Sequence, residues 1–232
     1  MPRYTRSYSG LIERLREVDI LRRDAAAKAR VDPIGNAPEI NALCRGSMVL
    51  LCSHLEAYVR QLGELALGSL VQGAVSREHV ASSVYYHISS DFIRDVGGIA
   101  DHGKAADRVF DFLARDSAYW SREGSFPVAI DADRFSKGFS NPKFKKIRAY
   151  FNRFGYQQYR HDLATRLRAD FSPLTNAVDH LVDTRHQIAH GDSSATKTPS
   201  EVRELALMVR RFSAATDAVF ATWWGERFRS IR

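Results

Sequence analysis

Apolar and polar positions alternate mainly at helical spacing along the 232 residues of this chain. Residues 9–30 read as a first amphipathic helix, stopped by Asp32-Pro33 and Gly35. Pro38 opens a longer helix reaching about residue 71, with Met48, Leu51, Cys52, Leu55, Val59, Leu62 and Ala66 on one face. Ser76 is the expected N-cap of a third helix running to about residue 95 and ended by Gly97-Gly98. A fourth is predicted over about 103–120. Residues 123–141 read as a loop holding the only strand-like run, Phe126-Pro127-Val128-Ala129-Ile130. Asn141-Pro142 starts a short helix to Phe154, stopped by Gly155, and residues 159–168 suggest another. Ser172-Pro173 opens a helix striped by Leu174, Val178, Leu181, Val182, Ile188 and Ala189. Thr198-Pro199-Ser200-Glu201 combines a capping threonine, a first-position proline and a glutamate three residues on, so a last helix is expected to about residue 224.

This pattern predicts an all-α protein, an up-and-down helical bundle in one domain over 1–232. Its core is expected in about 9–95 and 172–225, with about 97–171 as an elaborated insertion. No repeat or low-complexity linker divides the chain. The composition is that of a globular protein, 44% hydrophobic and 26% charged. The formal charge of +7 is carried mostly by arginine, which tilts the expected partners toward phosphate-bearing anions. Cys44 and Cys52 share one predicted helix and read as small core residues of a reducing compartment, not as a disulfide. The longest apolar stretch, 48–55, is broken by Ser53 and His54. With no signal-peptide pattern at the start, a cytoplasmic protein with no membrane partner is expected.

The end of the helix opened by Ser172 carries the most specific chemistry. At about 100° per residue, Arg185 falls near the middle of the apolar stripe. A guanidinium there must be paired or functional. Five residues later, His190 lies in the negative field of the helix end, just before Gly191 as the expected C-cap. Glu56 flanks the stripe of the second helix and is the expected partner of Arg185. The plainer alternative is a buried Arg–Glu pair and a surface histidine. His186 and His190 share a face, as metal ligands would, but Gln187 stands where a zinc-protease helix needs a glutamate and no third ligand follows. No metal and no cofactor are expected, and the chain has no phosphate-binding glycine loop and no Ser–His–Asp signature. In the basic and aromatic run 141–156, Phe144, Ile147 and Phe151 suit a core face, while Lys143, Lys145, Lys146, Arg148 and Arg153 suit a phosphate track for RNA.

Arg185-His186-Gln187-Ile188-Ala189-His190-Gly191, at the end of an α-bundle and followed by one long helix, resembles the Arg-x4–6-His motif of the HEPN superfamily (higher eukaryotes and prokaryotes nucleotide-binding). Met48-Val49-Leu50-Leu51-Cys52-Ser53-His54-Leu55-Glu56-Ala57-Tyr58-Val59 and Phe139-Ser140-Asn141-Pro142-Lys143-Phe144 are similar to stretches of its RiboL-PSP-type bacterial branch. The resemblance implies a homodimeric, metal-independent endoribonuclease from mobile defence and conflict systems: a toxin or antiviral effector, controlled by an antitoxin or another defence-system partner protein. It further implies that Arg185 holds the scissile phosphate and His190 acts as general acid or base. His186 would orient the phosphate or share proton transfer, and Glu56 would fix Arg185. On an ideal helix Arg185 and His190 point about 140° apart, which a two-fold arrangement of two chains would reconcile. Some members only bind nucleotides or serve as assembly modules. A non-catalytic module binding RNA, a nucleotide or a partner effector is therefore the alternative expectation, and a purely helical scaffold a third.

Overall fold

The helix signals in the sequence are answered by local hydrogen bonds in a computed structural model, which describes residues 3–232. Thr198 accepts from the Glu201 N–H at 3.2 Å while the Glu201 carboxylate accepts from the Thr198 N–H at 2.8 Å, a complete capping box. Thr5 caps the first helix through the Tyr8 N–H. Asp32 closes the turn after it by accepting from the N–H groups of Ile34 and Gly35. The resulting elements are α1 (Arg6–Val31), α2 (Ala37–Gln72), α3 (Ser82–Gly97), α4 (His102–Asp116), α5 (Ala132–Ser136), α6 (Phe144–Asn152), α7 (Tyr159–Leu167), α8 (Phe171–Ala189) and α9 (Pro199–Arg227). The protein is all-α, with no strand among the described residues. None of these helices is long and apolar enough to cross a membrane.

At 36 residues, α2 is the spine, about 54 Å long. Its face of Met48, Leu51, Leu55, Val59, Leu62 and Ala66 is completely buried. Around it α1, α8 and α9 complete the bundle. The Lys28–Glu39 ion pair and the Arg14–Gln61 hydrogen bond show α1 running against α2. Bonds from Tyr58 to the Ser213 carbonyl (3.0 Å) and from the Trp224 indole to Ser69 (2.9 Å) show α9 running with it. Such bonds satisfy polar groups that would otherwise be costly to bury. At the flank, Phe151 of α6 lies against Phe220 of α9, Tyr156 in the turn after α6 stacks on Trp223, and Tyr159 of α7 packs on Phe151 and Tyr156 and shares a hydrogen bond with Thr216 of α9. The principal packing of α3 is on α5 and α4. Asp116 at the end of α4 is fully buried there, held by Arg134 at 2.5 Å and Ser89 at 2.9 Å. Burial pushes its carboxyl up, but these bonds and the neighbouring arginine charges outweigh that and hold it below the usual range.

Three expectations for the middle of the chain are corrected. Ser76 does not start α3; a 3-10 turn, Arg77–His79, precedes it. The reason is tertiary, since Arg77 is drawn away by the carbonyls of Ala118 and Glu123. The run 126–130 forms no strand because the described residues offer no partner strand to pair with it. Phe126 stacks on Tyr85 and Ile130 is buried. The predicted loop also contains α5, whose start is capped by Asp131 accepting from the N–H groups of Asp133 and Arg134.

Gly63 sets the approach of α6 to α2. A Cβ there would lie 2.2 Å from the Tyr150 hydroxyl, and Tyr150 is buried and bonded to Ser136 at 2.9 Å. Gly63→Ala would gain about 1 kcal/mol of helix propensity. It would lose more, since overpacking costs about 1–3 kcal/mol and the Tyr150–Ser136 bond is strained as well. A lower urea midpoint with unchanged slope is expected; a midpoint at or above that of the parent would refute the close approach.

Candidate functional site

The site is built at the seam of α2 and α8. Leu174, Val178, Leu181 and Val182 are buried as the stripe predicts, but Ile188 is only partly buried and Ala189 is exposed. Arg185 therefore lies not in the centre of a buried stripe but at its open end, partly exposed. The helix stops through backbone chemistry. His190 is the C-cap, and Gly191, with φ of 81°, follows it. The Gly191 N–H donates to the Ile188 carbonyl and the Asp192 N–H to the Gln187 carbonyl, both at 3.1 Å, a Schellman pair that needs a left-handed residue. Arg45 of α2 donates to the Asp192 carbonyl at 2.6 Å and pins the turn. The His186 and His190 rings lie 4.2 Å apart at 61°, both exposed. Among the described residues no group of three His, Cys, Asp or Glu side chains is arranged to hold a metal ion.

Arg185 and Glu56 come together, though not as the direct pair expected. The Arg185 guanidinium donates through Nη1 to Oδ1 of Asn141 at 3.4 Å, and the Asn141 N–H donates to Oε2 of Glu56 at 3.0 Å. Glu56 and Arg185 are thus bridged by Asn141. Beside them is a groove of about 380 Å³ lined by Cys52, Ser53, Glu56, Arg60 and Arg185. Cys52 is a core thiol: burial pushes it up to about 11 against the opposing charge of Arg185.

In the sequence Asn141 stands as a helix start and within the Phe139–Phe144 stretch that carries the resemblance, and neither shows its contact with Arg185. It adopts φ of 52°, a conformation asparagine tolerates better than most residues, just before the buried Pro142. The segment is strapped to α8 by two carboxylates one turn apart. Asp179 accepts from the Phe144 N–H at 2.7 Å, capping α6 from outside, and Asp183 pairs with Lys143 at 2.5 Å. The Asn-Pro dipeptide was the available signal, but it marks a turn and says nothing about what the turn touches.

The basic run divides. Lys145, Lys146 and Arg148 are exposed on α6, with Lys146 also donating to the Ser140 carbonyl at 2.9 Å. Lys143 is occupied by Asp183. Arg153 turns inward instead of joining a track: it donates to the carbonyls of Phe135 and Lys137 and lies over the Tyr150 ring. Burial lowers its pKa, the mark of a desolvated structural cation.

A family model, RiboL-PSP-HEPN, matches residues 10–221. No curated protein and no solved structure matches the chain. HEPN domains often act as dimers and bind RNA, which ties the chain to RNA-related function in a general sense. With the match covering residues 10–221 of the 232, the protein belongs to the RiboL-PSP-HEPN family.

Proposed function

We propose that this protein is an endoribonuclease that cuts RNA without a metal ion, using Arg185, His186 and His190 at a site shared by two copies of the chain. The observation that carries the reading is the tether of Arg185. Its hydrogen-bond partner is the neutral amide of Asn141, and no carboxylate ion pair to it forms among the described residues. The guanidinium is oriented while its charge stays available for a phosphate.

In the reaction, the RNA 2′-oxygen forms a bond to phosphorus as the bond to the 5′-oxygen breaks, leaving a 2′,3′-cyclic phosphate and a 5′-hydroxyl. One proton leaves the 2′-hydroxyl and one reaches the departing oxygen. His190 serves as general acid or base, with His186, whose ring lies 4.2 Å away, orienting the phosphate or sharing the transfer. Arg185 offsets the charge that develops on the phosphorane. A two-fold pairing of α8 ends brings Arg185 of one copy and the histidines of the other to one phosphate. Lys145, Lys146 and Arg148 extend the site along the RNA backbone. The biological role that fits is a toxin or antiviral effector held in check by a partner protein.

Arg185→Ala and His190→Ala should each leave a folded protein whose RNA cleavage in EDTA falls about 100-fold or more. Retention of the parent rate by a folded variant would end this reading. RNA held in a salt-sensitive complex but never cut by the parent would replace it with a binding module. Asn141→Gly keeps the left-handed backbone and the N–H to Glu56 but deletes the acceptor for Arg185. An unchanged melting temperature with about a tenfold slower cleavage is expected, since small misplacements of a catalytic group are costly. Equal cleavage by Asn141→Gly and parent would show that Asn141 serves the backbone alone.

A further inference from the structure

On the opposite side of the bundle α1 and α9 form a second seam. The helices pack in the order α1, α2, α8, α9, so the α1–α9 seam lies across the molecule from the α2–α8 seam that holds Arg185. No residue lines both grooves. The α1–α9 groove encloses about 340 Å³. Its floor is apolar, with Ile12, Leu15 and Leu207, and Leu207 is 48% exposed. Its rim carries Arg16, Arg203 and Arg210, which make no carboxylate ion pair among the described residues. The one carboxylate in the lining, Asp19, is already engaged by Arg22 at 2.6 Å and Arg23 at 2.7 Å. An exposed apolar floor inside an uncompensated arginine rim asks for a ligand that is apolar in the middle and acidic at its edges.

We propose that this groove docks an acidic amphipathic helix of a partner protein. The geometry suits a helix. The lining residues of α1 run from Ile12 to Arg22, about 15 Å, which is two to three helical turns. The bound helix presents branched apolar side chains at i and i+4 to Leu15 and Leu207, with Asp or Glu on both flanks toward the arginines. RNA is a poorer occupant, because no aromatic side chain lines the groove for base stacking and its floor would face a polar backbone. A second copy set about a two-fold axis on this seam would bring arginine against arginine. Because the groove lies away from Arg185, a partner there leaves the α2–α8 groove open. Docking and RNA binding are therefore independent.

The test is selection on the purified full-length protein from a displayed library of amphipathic helical peptides with acidic, neutral and basic flanks. Acidic-flanked peptides should be enriched. Their affinity should fall at least tenfold on Leu207→Ser and on the double variant Arg203→Glu/Arg210→Glu, both of which should melt as the parent does. The double variant should in turn prefer basic-flanked peptides. No enrichment, enrichment of neutral or basic flanks on the parent, or acidic peptides that bind all three proteins alike would overturn the proposal. If Leu207→Ser instead breaks a parent dimer in sedimentation, a second copy covers the groove and the proposal is wrong. If the double variant loses binding of an RNA oligonucleotide, RNA is the occupant. None of these readouts uses cleavage, so failure here is separable from failure of the nuclease reading.

Discussion

Burial of one face of α2 is the constraint on which the other contacts depend. Each of Met48, Leu51, Leu55, Val59 and Leu62 is fully removed from water, and each such side chain is worth about 1.5–3 kcal/mol on transfer. That face can be covered only if α1, α8 and α9 lie along it, which sets their directions. Once they do, Tyr58, Ser69, Ser213 and Trp224 find one another, and the buried polar groups are satisfied as a consequence of the packing. Gly63 lies on the same helix where α6 must come close, so the spine also decides how the flank docks.

The site is a by-product of this arrangement at the edge of the core. Arg185 lies where the apolar cover over α8 gives out. A guanidinium fully inside would need a carboxylate partner, and the pair would be structural. Here the carboxylate of Glu56 is held one residue removed, through the Asn141 backbone, while a neutral amide faces Arg185. The strap that achieves this depends on Asp179 and Asp183, two α8 carboxylates that would otherwise look like an ordinary solvated face. Charges that look interchangeable in composition thus do different things: Arg153 and Arg77 cap carbonyls, Arg134 neutralises a buried Asp116, and Arg185 stays available.

What could be read from the sequence alone was whatever is decided within a few turns of chain. The capping box at Thr198, the stop at Asp32-Pro33, the long apolar face of α2 and the glycine after His190 are local chemistry, and each appears in the structure where the sequence predicts it. So is the placement of Arg185, His186 and His190 at one helix end, since three residues of one helix need no partner to be neighbours. Everything that required two distant segments to meet was decided only by tertiary structure. The Ser76 start was overridden because Arg77 finds carbonyls more than 40 positions away. The 126–130 run found no second strand. Arg153 lost its place in the basic track to the carbonyls of Phe135 and Lys137 at the end of α5, and Glu56 met Asn141 across 85 positions instead of meeting Arg185 directly. Periodicity tells which face of a helix is buried, but it carries no information about what stands opposite a polar group, and hydrogen bonds over such separations exist only once the core has closed.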